Sequence, residues 1–352
     1  VTTGGGGHPR PGAIVRRLLD AGVLRAADVV DGEVVLSDLS QSNCVYALDD
    51  ATGRALVVKA GRGERPLDQG SREREHQLYR AVADHPAVAA EAPVPELVAD
   101  LGDVLVLRRV SRGDTLGARY RDGGLAAIDG AALGRAIGTW HRLGDVLLTA
   151  DPSWAGRGRL PWVMRSLTMD RAELASLHPP LAELADRLRE TGPLVEVVEQ
   201  AAAAWRPDAL VHGDVRWDNA LVAGDGPAVT LVDWEFADHG DAGWDLASAV
   251  VEAVVAAYVD EGKADLDVVI RAVAGHVEDV IGGYCSARGE GAADAVAAAA
   301  RLAPVRLLLA AFQHAAWIPF TGVETGAGLG RFAAQLAEDP QRLLGLPVPA
   351  AR

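Results

Sequence analysis

Apolar residues recur at helical spacing near the start of the chain, at Ile14, Leu18, Leu19 and Leu24, and predict a helix over residues 14–30. The pattern then shortens into strand-like runs. Residues 34–36, 44–48 and 55–60 read as three strands, the last two joined by the turn Asp49-Asp50-Ala51-Thr52-Gly53-Arg54, so an antiparallel meander is expected. Ser71 stands where it would cap a helix running to about Val82, with Glu73 and Glu75 in the first turns, where the helix dipole favours acids. Pro93-Val94-Pro95 ends any helix before it, and Val104-Leu105-Val106-Leu107 reads as another buried strand. Beyond that point Ala/Leu/Val stretches with helical spacing dominate, at residues 133–143, 181–205, 244–258, 266–284 and 292–317. One β insertion interrupts them, at 210–233. Gly326-Ala327-Gly328-Leu329-Gly330 follows a helix, not a strand, so it lacks the βαβ context of a dinucleotide fingerprint and reads as a loop.

The pattern describes an α+β protein with a small strand-rich part carrying one principal helix, and a larger helical part. There is no internal repeat and no low-complexity linker between the two, so they should share an interface with a cleft in it. The expected organisation is a flexible tail at residues 1–12, where four glycines precede His8-Pro9-Arg10-Pro11, a first lobe at 13–110 and a second at 111–352.

Composition narrows the function classes. A chain of 352 residues, 49% hydrophobic, can bury a full core. Its formal charge of −15 argues against a nucleic-acid or anionic-membrane surface, which would need a concentrated Lys/Arg patch. Only Cys44 and Cys285 are present, far apart, which suggests neither a disulfide framework nor a zinc site. The start of the chain has no apolar segment of the signal-peptide type, and no apolar run is read as approaching the ~20 residues of a membrane span. A soluble, cytoplasmic protein is expected.

The chemistry lies in the β insertion. Ala209-Leu210-Val211 leads into His212-Gly213-Asp214, and Asn219 opens a second apolar run, Ala220-Leu221-Val222. Gly224-Asp225-Gly226-Pro227 is strong turn chemistry, and Val229-Thr230-Leu231-Val232 returns to Asp233. Centring a hairpin on that turn sets Ala220 roughly opposite Leu231 and brings Asn219 and Asp233 together at its open end. An amide oxygen and a carboxylate so placed suit a hard cation such as Mg²⁺, with substrate phosphates completing its shell. Asp214, at the start of the same loop, is placed to orient an acceptor hydroxyl and take its proton. Lys59, inside Val57-Val58-Lys59-Ala60, is either an edge-strand lysine facing water or a cation for the non-transferred phosphates, held by Glu75 or Glu73. Those two acids lie about 200° apart around a helix, so only one faces a cleft.

These residues resemble the aminoglycoside phosphotransferase and choline kinase family, relatives of the protein kinases, over nearly the whole chain. The resemblance implies a two-lobed protein-kinase-like fold, with a small antiparallel-sheet N-lobe and a large helical C-lobe, and an ATP- and Mg²⁺-dependent phosphotransferase with an alcohol acceptor. It makes Leu39-Ser40-Gln41-Ser42-Asn43 the nucleotide-positioning loop, with Ser40, Ser42 and Asn43 standing in for absent glycines. Lys59 falls at the phosphate-binding lysine and Glu75 at its helix partner. Residues 105–110 would form the hinge strand. His212-Gly213-Asp214 with Asn219 matches the catalytic loop, and Asp233 the second metal-binding acid. Asp245, in Gly240-Asp241-Ala242-Gly243-Trp244-Asp245, would brace that loop, and His212 would do likewise.

Arg216 departs from the aminoglycoside branch, which commonly has histidine there. It either contacts the transferred phosphoryl group or pairs at the surface with Asp218. The surrounding texture also resembles kinase-like enzymes that modify ribosomally made precursor peptides of the lanthipeptide or thioamitide kind, which would imply a biosynthetic partner protein. The acceptor is therefore a hydroxyl-bearing small molecule, such as an aminoglycoside or another natural product, or the Ser or Thr of a precursor peptide. An inactive nucleotide-binding scaffold is a third reading, opposed by the presence of Lys59, Asp214, Asn219 and Asp233 together. Arg157, Arg159 and Arg165, near Trp154 and Trp162, form either a basic–aromatic acceptor surface or solvated loop charge. Asp218, Glu235, Asp238 and Asp241 either attract a cationic acceptor or are ordinary loop acids.

Overall fold

A computed structural model describes residues 11–31, 34–40, 44–50, 52–60, 71–110, 113–154, 159–191, 193–222, 228–262, 265–318 and 321–344. Two helices, α1 (Pro11–Asp20) and α2 (Ala26–Val30), stand where the apolar spacing predicts one. Gly22, in the left-handed region at φ 70°, ends α1, and the amides of Val23 and Leu24 both turn back to the Leu18 carbonyl. The expected meander follows as β1 (Val34–Asp38), β2 (Cys44–Asp50) and β3 (Ala55–Ala60), with Val45 opposite Lys59. After α3 (Ser71–Ala83) come α4 (Pro86–Ala89), β4 (Leu97–Asp100) and β5 (Val104–Arg108). The Ser71 side chain, expected as the cap of α3, lies outside the described part.

The five strands form one antiparallel sheet in the order β1-β2-β3-β5-β4. Alternation along the strands gives each face its own partner. Leu56, Val58, Val104 and Val106 pack with Ile14 and Leu18 of α1 in a small core. Leu105 and Leu107 face the other way and join Leu78 and Tyr79 of α3 in the large core. Lys59 shares that second face.

The rest is mainly helical: β6 (Asp114–Thr115), α5 (Leu116–Gly123), α6 (Gly130–Ala150), α7 (Val163–Ser166), α8 (Arg171–Leu177), α9 (Pro179–Arg189) and α10 (Leu194–Ala203). Pro193, which has no N–H to continue a helix, divides α9 from α10 where the apolar pattern over 181–205 runs on. Then come β7 (Ala209–Val211), β8 (Ala220–Val222), β9 (Val229–Leu231), β10 (Asp238–Gly240), α11 (Ala242–Asp260), α12 (Leu266–Arg288), α13 (Ala292–Ala316) and α14 (Val323–Glu338). The β insertion is two small sheets: β8 lies between β6 and β9, while β7 pairs antiparallel with β10.

Two expectations are corrected here. Gly326-Ala327-Gly328-Leu329-Gly330 is not a loop but the buried face of α14. A Cβ at Gly328 would come within 2.1 Å of the Tyr258 hydroxyl, so the glycines serve close helix packing. Also, α11 and α13 are long and apolar enough to cross a bilayer, contrary to the reading that no run approaches that length. Their apolar windows are 72% and 83% buried inside the fold, so protein surrounds them instead.

Candidate active site

Lys59 lies on the middle strand of the five-stranded sheet, which excludes the edge-strand reading. Its ammonium is 2.5 Å from Glu75 Oε1 on α3 and 2.7 Å from Asp233 Oδ1 in the helical part. Glu75 is buried, whereas Glu73 is exposed, so the helix presents the former. Burial works against the charge on Lys59, but Glu75 and Asp233 outweigh it and hold the amine well above its ordinary value. The lysine is therefore a fixed cation joining the two halves of the molecule.

The loop after β7 is held from beneath. Asp245, fully buried in the first turn of α11, accepts from the His212 amide at 2.6 Å and the Gly213 amide at 2.8 Å. His141 on α6 meets the same carboxylate at 3.1 Å and the Tyr284 hydroxyl at 3.0 Å. The His212 ring spans the loop: Nε2 donates to the Val232 carbonyl at 2.9 Å, and Nδ1 accepts from the Asp214 amide at 3.2 Å. With both ring nitrogens so engaged and the ring packed 4.3 Å from that of Trp234, His212 is not placed to move a proton to a ligand. Gly213 is at φ 84°, and a Cβ on it would come within 2.5 Å of the Phe236 carbonyl oxygen. Gly213→Ala is expected to lower stability by at least ~1 kcal/mol through backbone strain, read as a lower midpoint in urea; an unchanged midpoint would show that the loop has room to adjust.

The hairpin forms in the expected register, with Ala220 opposite Leu231, and the Val232 amide donates to the Asn219 carbonyl at 2.9 Å. Its turn, Gly224-Asp225-Gly226-Pro227, lies outside the described residues. Asp233, next along, is the one non-glycine residue at positive φ among those described (φ 69°). That conformation swings the chain off the strand into the short 3₁₀ turn Trp234–Phe236. Asn219 gives its amide N–H groups to the Asp214 carbonyl at 3.0 Å and carboxylate at 3.3 Å, which leaves its own side-chain oxygen for a ligand. Burial opposes the charge on Asp233, but Lys59 beside it, by charge and hydrogen bond, and Arg216 hold its carboxyl below the ordinary carboxylate range.

Arg216 does not make the surface pair with Asp218, whose ion-pair partner among the described residues is Arg121 at 3.6 Å. It is half-buried, and Asp214 is the acid that most raises its pKa against the opposing effect of burial. Behind Asp214 stands a residue that sequence reasoning missed. Arg306 of α13, 1% exposed, donates to Asp214 Oδ1 at 3.4 Å and to the Ser248 hydroxyl at 2.7 Å, with its guanidinium 5.7 Å from the Trp244 ring centre. Its only local signal is an arginine, one of two with Arg301, in an Ala/Leu-rich helix.

Two cavities meet at this loop. One, of about 500 Å³, lies between sheet and helices and is lined by Leu39, Val57, Lys59, Leu107, Asn219 and Asp233. The other, of about 480 Å³, opens on the Asp214 side and has Gly213, Asp214 and Trp244 in its wall. The Ser40 hydroxyl accepts from the Val45 amide at 3.1 Å, and Ser40 is not among the residues that line the first cavity, although Leu39 and Val45 are. Ser42 and Asn43 lie outside the described residues. Asp241 is spent as the cap of α11, accepting from the Gly243 amide at 3.0 Å, and Trp154 is fully buried, so neither belongs to an acceptor surface. Arg157 is outside the described residues.

The family described as the phosphotransferase enzyme family, APH, matches residues 35–276, from β1 into α12. The chain belongs to that family. This phosphotransferase also shares its fold with the ethanolamine kinase of Plasmodium vivax, at a TM-score of 0.56 and 12% identity over 93% of this chain and 88% of that one. The choline kinase LicA of Streptococcus pneumoniae is similar at 0.48 and 13% identity, covering 91% and 99% of the two chains. The macrolide 2′-phosphotransferase MphH of Brachybacterium faecium is similar at 0.46 and 18%, covering 92% and 98%. No curated protein sequence matches the phosphotransferase significantly. Its fold is the protein-kinase-like one, an antiparallel-sheet lobe on a helical lobe, and its family is one of phosphotransferases.

Proposed function

We propose that this phosphotransferase moves the γ-phosphate of ATP to a hydroxyl of a small-molecule acceptor, with Mg²⁺ as its metal. The observation that carries the reading is the convergence of Lys59, Asp233, Asn219 and Asp214, from both lobes, where the two cavities meet. Residues 13–110 then serve as the nucleotide-binding lobe and 111–352 as the catalytic and acceptor-binding lobe, in a cytoplasmic setting where ATP is present.

Asn219 and Asp233 fit a hard cation in kind, offering an amide oxygen and a charged carboxylate. Among the described residues no group of three or more His, Cys, Asp or Glu could hold a metal alone, which agrees with a site completed by substrate phosphates. A bound Mg²⁺ would neutralise charge on the phosphates. Lys59, steadied by Glu75, binds the non-transferred phosphates. Asp214 orients the acceptor hydroxyl and takes its proton, while Arg216 faces the group in transit.

Mass analysis of hydroxyl compounds incubated with the chain and Mg-ATP tests the reading. It expects one extra phosphate on a small alcohol; phosphorylation of a precursor peptide in place of any small alcohol would overturn the acceptor half. Asp233→Ala should weaken Mg-ATP binding at least ~10-fold in a titration, and unchanged affinity would remove Asp233 from the metal site.

A further inference from the structure

An arginine buried in the middle of an apolar helix is costly, because its charge leaves water for surroundings that return little of the lost hydration. Arg306 stands at such a place on α13, between Val305 and Leu307, at 1% exposed. Burial presses its pKa below the ordinary arginine value, although Asp214 and Glu252 draw it the other way. An apolar side chain at this position would avoid that cost. Packing alone therefore gives no reason for a cation here, and the cation is directed at the loop after β7.

Its geometry is that of a clamp on Asp214. The guanidinium reaches Asp214 Oδ1 at 3.4 Å, while the Asn219 amide reaches Oδ2 at 3.3 Å. Each carboxylate oxygen thus has its own donor, and the group cannot turn about its Cβ–Cγ bond without losing both. The two contacts are longer than ordinary hydrogen bonds, so the oxygens can still accept from an incoming hydroxyl. The Asp214 side chain is 19% exposed and lines the second cavity. Arg306 is itself fixed from α11: its Nε donates to Ser248 Oγ at 2.7 Å, and that hydroxyl donates to the Trp244 carbonyl at 2.8 Å. The Trp244 ring lies 5.7 Å from the guanidinium, and its Nε1 donates to the Gly213 carbonyl at 3.0 Å, one residue before Asp214. The two helices are packed hard together, since a Cβ at Gly243 of α11 would come within 2.5 Å of the Ala298 Cβ on α13.

We infer that Arg306 is a positioning residue for phosphoryl transfer, anchored by Ser248 and Trp244 so that its guanidinium and the Asn219 amide together set the Asp214 carboxylate towards the acceptor hydroxyl. The inference rests on the phosphotransfer reading above, in which Asp214 takes the hydroxyl proton. In that step the acceptor oxygen bonds to the γ-phosphorus, the bond from that phosphorus to the β–γ bridging oxygen breaks, ADP leaves, and the proton passes to Asp214. A reacting group misplaced by about an ångström costs on the order of 10²-fold in rate, which is the scale of effect open to such a clamp. Glu252 of α11 is the other acid near enough to act on Arg306, so neutralising a buried acid is the rival role. A lysine would serve that rival role equally well. It lacks the planar fork whose Nε and Nη2 reach Ser248 and Asp214 separately.

A double-mutant cycle on turnover tests it. Turnover of the full chain is read as labelled phosphate leaving Mg-ATP for water, for concentrated glycerol and for any alcohol found by the mass analysis above, and Mg-ADP affinity is read by calorimetry. Arg306→Lys should lower turnover by ~10–10²-fold with Mg-ADP affinity within about twofold of the parent chain. Ser248→Ala, which removes only the anchor, should lower it by about threefold or more. In the Asp214→Asn background the same substitutions should change turnover by less than about twofold, because the carboxylate they position is gone. Effects that carry over undiminished into that background, full turnover by Arg306→Lys, or a loss of Mg-ADP affinity that matches the loss of turnover overturn the inference and leave phosphotransfer standing. Where Arg306→Lys does not fold, Ser248→Ala decides by the same comparison. Transfer by the parent chain to none of these acceptors overturns the phosphotransfer reading, and the inference with it.

Discussion

Asp214→Asn is expected to lower kcat by ~10²–10⁴-fold while leaving ATP affinity nearly unchanged. The substitution keeps the size of the side chain and an oxygen for the Asn219 amide, but removes the negative charge that orients and deprotonates the acceptor hydroxyl. ATP binding should survive because Lys59, Glu75 and Asp233 hold one another across the lobes without Asp214. The buried Arg306 loses its ionised partner at 3.4 Å, so a small fall in stability should accompany the loss of activity. Ser248 and the Trp244 ring still hold that guanidinium. Steady-state turnover beside an ATP titration separates the two effects. Full turnover by the variant removes Asp214 from proton transfer, and a parallel loss of ATP affinity would show that the loop as a whole has moved.

How much of this site could be read from the chain depends on how local each part is. Asn219 and Asp233 are joined by a hairpin, so turn chemistry and strand alternation sufficed to bring them near each other, and the register with Ala220 opposite Leu231 follows from the same two cues. Lys59 was ambiguous for a physical reason: one strand does not reveal its neighbours, and only the order β1-β2-β3-β5-β4 makes β3 a central strand. Arg306, on α13, lies 92 residues from the aspartate it touches, and nothing near it in the sequence marks that contact. The same holds for β10, whose partner β7 precedes it by a whole hairpin. Glycine misled at residues 326–330, where it permits close helix packing instead of turning the chain. The long apolar helices α11 and α13 are likewise settled by what surrounds them, which composition does not record. Asp241 shows the converse limit, an acid near a site that is used up by a helix cap.

The brace beneath the loop gives the largest expected effect on stability. Asp245→Ala should destabilise the protein by ~3–5 kcal/mol, because it removes a fully buried carboxylate and leaves the His212 and Gly213 amides and the His141 ring without their shared acceptor. Burial opposes the charge on Asp245, but His141, by hydrogen bond and charge, and then the backbone amide of His212 hold its carboxyl below the ordinary aspartate value. The depressed native pKa sets the sign of the pH dependence. Stability from this charge is fully present above about pH 4, the ordinary aspartate range, and is lost as pH falls from there through the lower native value. The stability gap between the native protein and Asp245→Asn, measured by urea unfolding, should therefore be widest near neutrality and narrow below about pH 4. A gap constant with pH would mean that Asp245 acts by shape alone. Because Asp245 touches neither cavity and acts through the His212 and Gly213 amides, the Asn variant should lose kcat with ATP affinity retained, and loss of ATP binding at a temperature where it remains folded would place Asp245 in nucleotide binding instead.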